Sequence, residues 1–210
     1  MIVAICAGGP LSEVAFSLQP HKWIGVDRGA YNLIRQAIIP DAIVGDFDSV
    51  TASEFARISE AVQHVEAFQA EKDETDTDLA LVRALDWQPS EIWLTGVTGG
   101  RLDHQEAVLR SVYRMQQVYP HIIFKIINPQ NEMRFLLPNR HHLPTSTHTY
   151  ISFFAYGEDV CDVTLRGVKY ETTNETIEMG TSRFTSNEIV ADNAYIEFTS
   201  GICLMIRSMD

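Results

Sequence analysis

Proline is absent beyond Pro144 of this 210-residue chain, cysteine occurs three times, and 16 basic residues face 28 acidic ones. Each shortage excludes something. Cys6, Cys161 and Cys203 are odd in number and far apart; they form neither a CxxC pair nor a disulfide framework, which points to a reducing cytoplasm. A net charge of -12 removes the cationic surface that nucleic acid requires as a main partner. No stretch approaches the roughly 18 apolar residues of a membrane span. The opening MIVAICAGGP has no basic leader and breaks at Gly8-Gly9-Pro10, so it is expected to be a buried strand rather than a signal peptide. Twelve glycines and eight prolines are too few for a low-complexity chain. Hydrophobic residues at 45% and charged residues at 21% are ordinary for a chain that buries a core, in one large or two small domains.

Composition changes near residue 145. All eight prolines precede it, while ten of the fifteen threonines follow it. Before it, short and almost continuous apolar runs at 2–6, 22–26, 42–45, 63–68, 91–95 and 122–127 predict strands buried on both faces of a parallel sheet. Helix-period segments near 11–18, 29–38, 51–60, 75–86 and 104–118 separate them. In the last of these, Val108, Val112 and Met115 form an apolar stripe. Alternating strand and helix predicts an α/β domain with a mostly parallel sheet. The tail differs: 149–155, 161–168, 176–179, 184–190, 193–199 and 202–207 are short, β-branched and broken by turn residues, as in an all-β sandwich. The connector Pro138–Pro144 gives expected domains of 1–138 and 139–210.

Ligands of open α/β sheets sit beyond the carboxyl ends of the strands, and four polar clusters fall there. Asp27-Arg28-Gly29 follows the second run; taken alone, an Asp cap with a Gly turn explains it better than a binding site does. Asp46-Phe47-Asp48-Ser49 places two carboxylates at i and i+2, where a cation such as Mg²⁺ would relieve their repulsion. A cap by Asp48 or Ser49 on the helix at 51–60 is the alternative. Glu71-Lys72-Asp73-Glu74-Thr75-Asp76-Thr77-Asp78 holds five acids in eight residues. One or two acids serve a helix dipole and Thr75 with Asp78 resembles a capping box, but five repel one another and suggest a missing cation. Gly99-Gly100-Arg101-Leu102-Asp103-His104 combines an approachable backbone with a forked phosphate donor, although no Walker loop is present. Together the clusters describe a metal–nucleotide site for phosphoryl-type transfer, a reaction of positioning and charge neutralisation.

These stretches also carry a resemblance. Gly25-Val26-Asp27-Arg28-Gly29, Val44-Gly45-Asp46-Phe47-Asp48-Ser49, Lys72-Asp73-Glu74-Thr75-Asp76, Gly99-Gly100-Arg101-Leu102-Asp103-His104 and Thr185-Ser186-Asn187-Glu188 resemble, in order, the motifs of bacterial thiamine pyrophosphokinases. The resemblance implies an α/β nucleotide-binding catalytic domain and a β-sandwich thiamine-binding domain. It further implies a homodimer in which thiamine lies between one subunit's catalytic face and the partner's β-domain. The implied reaction moves the diphosphoryl group of ATP to the thiamine hydroxyl. Asp46, Asp48 and Asp76 would hold Mg²⁺. Lys72, Asp73, Thr75 and Arg101 would position ATP, with Asp27 and Arg28 near. Asp103, beside His104, would orient or deprotonate the hydroxyl, and Ser186 and Asn187 would enclose thiamine. Phe153, Phe154, Tyr156 and Tyr170 are read first as sandwich core and second as ring-stacking partners. Two other functions fit the acidic clusters: a Mg-dependent phosphatase of the haloacid-dehalogenase kind with Asp46 as nucleophile, and a non-catalytic nucleotide or metal sensor.

Overall fold

Strands with apolar side chains at nearly every position have two faces to cover, and helices cover them. The computed structural model describes residues 1–62 and 75–210, which divide into two units, Met1–Pro129 and Gln130–Asp210. In the first, β1 (Ile2–Cys6), β2 (Lys22–Val26), β3 (Ala42–Val44), β4 (Glu91–Thr95) and β5 (Ile123–Ile127) lie in the order β3-β2-β1-β4-β5. Every pairing among them is parallel, with Ala4 flanked by Trp23 and Trp93. Val3, Ala4, Ile5 and Cys6 have no exposed surface.

Among the described residues, four α-helices alternate with these strands: α1 (Arg28–Arg35), α2 (Ala52–Ala61), α3 (Asp76–Leu85) and α4 (Leu102–Val118). Ala30 packs with Ile43, Ile58 and Val62, while Leu33 joins Ala4, Val14 and Trp23. Each fully buried Leu or Ile contributes about 1.5–3 kcal/mol. The stripe of α4 is buried as expected through Val108, Val112 and Met115.

Three expectations change. The helix at 11–18 contracts to one 3₁₀ turn, Leu11–Glu13, because Ala15 N–H donates to the Thr95 hydroxyl (2.8 Å) rather than to the preceding turn. Helix α2 is capped by Thr51 in a capping box with Glu54, not by Asp48 or Ser49. The strand expected at 63–68 lies outside the described residues.

The second unit is antiparallel throughout. It contains β6 (Asn131–Leu136), β7 (Asn139–His142), β8 (Tyr150–Ala155), β9 (Val160–Arg166), β10 (Thr172–Ile177), β11 (Tyr195–Phe198) and β12 (Cys203–Ser208). β12 pairs with β6 on one side and β8 on the other; β10, β9, β11 and β7 form a four-stranded sheet. The sheets enclose Leu136, Ile151, Phe153, Val163, Leu165, Ile196, Phe198 and Met205, the layered core of the expected sandwich. β6 and β7 begin earlier than any strand expected of the tail. The first pairs with β12 along its length, from Asn131–Ser208 to Leu136–Cys203, so the unit starts before the connector at 138–144. Segment 184–190 makes only isolated bridges, Asn187 to Ile151 and Ile189 to Val168.

Candidate active site

The strand order reverses between β1 and β4, where a crevice opens at the carboxyl ends of an α/β sheet. Beside it, β2 ends at Val26 and the chain turns sharply at Asp27, with φ 46°. A non-glycine residue in that region stores about 1–3 kcal/mol of strain, held only if its surroundings over-determine it. They do. Asp27 N–H donates to the Val44 carbonyl (3.0 Å), and Asp27 Oδ1 accepts from Phe47 N–H (3.1 Å). Gly45 permits the approach: at φ 134° its missing Cβ would stand 2.0 Å from Asp27 Oδ1.

This interlock gathers negative charge. Carboxylate oxygens of Asp27, Asp46 and Asp76 lie within 4.8 Å of one another. Burial, then the charges of Asp76 and Asp46, push the Asp27 carboxyl up to about 7 despite the Phe47 hydrogen bond. Burial raises Asp76 as well, helped by Asp46 and Asp48. Asp76 Oδ1 is buried without a hydrogen-bond partner among the described residues. Hard carboxylate oxygens, one orphaned and all mutually repelling, are the donor set that suits Mg²⁺.

Of the expected metal ligands, Asp46 and Asp76 meet here, and Asp27 joins them. Asp48 stands outside the trio; its N–H donates to Asp46 Oδ1 (3.0 Å) and steadies that carboxylate. Thr75 is the N-cap of α3, its hydroxyl donating to Asp78 Oδ2 (2.7 Å), so the capping-box alternative is realised. Arg28 reaches Glu54 (3.1 Å) at the start of α2. Lys72 and Asp73 lie outside the described residues.

Past β4, the glycine turn delivers Arg101 as the N-cap residue of α4. Its Nε and Nη2 donate to Asp103 Oδ1 (3.1 Å) and Oδ2 (2.5 Å). That fork holds Asp103 down at about 2. Arg101, Asp103 and His104 are exposed. Gly9 N–H donates to the Gly96 carbonyl (2.8 Å) and Ala7 N–H to Thr95 (2.9 Å), tying the loop after β1 to the turn after β4.

In the second unit Ser186 is exposed at φ 57°, its N–H donating to the Ser152 hydroxyl (2.9 Å). Asn187 is buried, and its carboxamide is engaged. Oδ1 accepts from Tyr170 and Glu188 N–H (3.0 and 2.9 Å), and Nδ2 donates to the Tyr170 carbonyl (2.9 Å). Asn187→Ala is therefore expected to cost about 2–3 kcal/mol by stranding those backbone groups, read as a lower urea midpoint. Phe153 is core and Tyr156 packs edge-on to Phe135 (4.9 Å); Tyr170 is 62% exposed.

The family comparison matches residues in both units. Residues 18–124 match the model of the thiamin pyrophosphokinase catalytic domain, and residues 140–203 that of its vitamin B1 binding domain. The chain belongs to the thiamine pyrophosphokinase family. Thiamine pyrophosphokinase of Bacillus subtilis (strain 168) is 38% identical over 99% of both chains. The crystal structure of thiamine pyrophosphokinase from Bacillus subtilis superposes with a TM-score of 0.94 at 37% identity, covering 100% of each chain. That of Geobacillus thermodenitrificans gives 0.91 at 33%, covering 100% of this chain and 98% of the other. Both units of this thiamine pyrophosphokinase family member thus have counterparts in solved relatives.

Proposed function

We infer that this chain transfers the diphosphoryl group of Mg-ATP to the hydroxyl of thiamine, giving thiamine diphosphate and AMP. The observation that carries the reading is the convergence of Asp27, Asp46 and Asp76 within 4.8 Å in a chain of this family. Membership of the family does not favour the phosphatase or the sensor.

The hydroxyl oxygen of thiamine attacks the β-phosphorus of ATP, the bond from that phosphorus to the α,β-bridging oxygen breaks, AMP carries the oxygen away, and the hydroxyl proton passes to solvent. Asp46 and Asp76, with Asp27, would hold Mg²⁺, and Asp48 would keep Asp46 in place. The ion, when bound, neutralises charge on the phosphates. Arg101 and Arg28, with Lys72 and Asp73, would position the triphosphate, and Thr75 would contribute by setting the start of α3. Asp103 would orient the thiamine hydroxyl, with His104 near. Ser186 would face thiamine, and Asn187 would fix the loop that carries Ser186. In domain terms, Met1–Pro129 would be the nucleotide-binding catalytic part and Gln130–Asp210 the thiamine-binding part. The reading includes a homodimer working in the cytoplasm, with no nucleic-acid or membrane partner; among the described residues no helix is long and apolar enough to cross a membrane.

The test is a three-component assay with purified protein, ATP, Mg²⁺ and thiamine, quantifying both products. AMP and thiamine diphosphate should appear in equal amounts. Orthophosphate release, or AMP formed without thiamine, would refute the transfer. Ser186→Ala is expected to raise the KM for thiamine about three- to tenfold, the loss of one hydrogen bond, with the KM for ATP unchanged. Equal shifts in both would remove Ser186 from the acceptor site.

A further inference from the structure

Neither a motif nor a cluster of charge singles out Glu13, yet it sits at the reversal of strand order with its carboxylate engaged. Glu13 Oε2 accepts from the Thr98 hydroxyl (2.6 Å) and from Asn128 Nδ2 (2.9 Å), and Asn128 Nδ2 also reaches Thr98 Oγ1 (3.0 Å). The main chain is used too. Glu13 C=O accepts from Gly96 N–H (3.3 Å) and from the Thr95 hydroxyl (3.4 Å). Thr95 is fully buried and Thr98 is 6% exposed.

The glycine turn is moulded on this side chain. Gly99 stands at φ 72°, and a Cβ there would lie 2.5 Å from Glu13 Cγ and 2.7 Å from Cδ. The turn is thus held at its beginning by the Glu13 backbone, at Thr98 by the carboxylate, and at Gly99 by contact. Two residues later comes Arg101 with its fork on Asp103. We propose that Glu13 is a positioning residue that sets the direction of the Arg101–Asp103 pair through the Thr98–Gly99 turn. Its part in this proposal is to orient the turn, not to react. The proposal rests on the reading of Arg101 and Asp103 as part of the reacting site.

The chemistry of the contacts separates variants. Glu13→Gln keeps an amide oxygen able to accept from both Thr98 and Asn128, whereas Glu13→Ala removes acceptor and wedge together. With thiamine and Mg-ATP, Glu13→Ala is expected to lower kcat about tenfold or more, as a misplaced donor does, with both KM values within about threefold; Glu13→Gln should retain at least about a third of wild-type kcat. A purely structural part would not discriminate backgrounds, so the deciding measurement is a cycle with Arg101→Ala. In that background Glu13→Ala should cost less than about twofold, because its target is gone. A full additional loss there, or wild-type turnover for Glu13→Ala alone, overturns the proposal. If Arg101→Ala alone leaves turnover intact, the reading of the turn as part of the site has failed, and the positioning role falls with it. Should Glu13→Ala not fold, Glu13→Asp carries the same cycle, since it keeps the charge but withdraws it by one methylene.

Discussion

Asp27→Asn is expected to make the metal-free protein more resistant to heat at pH 8 while reducing turnover about a thousandfold, the scale of losing one charged group from a preorganised site. Asp27 holds a carboxyl pushed up to about 7 by burial and by Asp76 and Asp46, against an ordinary value near 4. The folded chain therefore binds a proton that the unfolded chain releases between about pH 4 and pH 7, and stability falls as pH rises through that window. Three pH units set a ceiling of about 4 kcal/mol. The site is partly open to water, which reduces this to about 1–2 kcal/mol. Asparagine keeps the acceptor for Phe47 N–H and drops the charge. The unfolding midpoint without metal should rise by about 2–8 °C at pH 8 for a chain of this size, and should hardly differ from wild type at pH 5, where Asp27 is already protonated. Mg²⁺ should raise the wild-type midpoint at pH 8 and raise the variant's by clearly less. Thermal unfolding at the two pH values, with and without MgCl₂, decides it. A variant that melts lower at pH 8, or responds to Mg²⁺ as fully as wild type, sinks the assignment of Asp27 to the cation site.

The parallel strands were legible because their burial leaves few polar residues inside them, Lys125 of β5 being one: β1 and β4 begin and end where the apolar runs do. Where a strand owes its existence to a distant partner, the local pattern fails. Asn131-Glu132 in β6 and Asn139-Arg140 in β7 carry no strand pattern, and β12 and β11, far along the chain, pair with them. The reverse happens at 184–190, whose apolar residues meet neighbours at single bridges.

The same distinction runs through the site. Acids at strand ends stand out in sequence, so Asp46 and Asp76 were visible, but Asp27 enters their group through a left-handed turn and the adjacency of β2 and β3, neither of which spacing encodes. Thr75 and Asn187 illustrate motif residues whose side chains are spent on architecture, one capping α3 and the other pinning Tyr170. Glu13 lies 85 residues from Thr98 and 115 from Asn128. Their meeting depends on β1, β4 and β5 being neighbours, and a polar residue after each run was the sole trace of it.

Asp103→Asn is expected to cut kcat about a hundredfold without changing the shape of the pH–rate profile, the cost of one misdirected charge-assisted hydrogen bond at the reacting group. Both oxygens of Asp103 are gripped by Arg101, and the carboxyl is held at about 2. A base that weak accepts a proton from an alcohol with little driving force, and a loose transition state asks for little proton removal before phosphorus is reached. On the proposed reading its contribution would be direction: a fixed acceptor for the hydroxyl hydrogen. Arg101 spends two of its five N–H donors on this grip and has three left, which on the proposed reading would meet phosphate oxygens, so that one side chain would couple the acceptor alcohol to the diphosphoryl group. Arg101→Ala should therefore lower kcat/KM for ATP about a hundred- to a thousandfold, and adding Asp103→Asn to it should cost far less than Asp103→Asn costs alone. Steady-state rates from pH 5 to pH 9 provide the check. Loss of an acidic limb in Asp103→Asn would make Asp103 a titrating base, and strict additivity of the two substitutions would dissolve the unit they form.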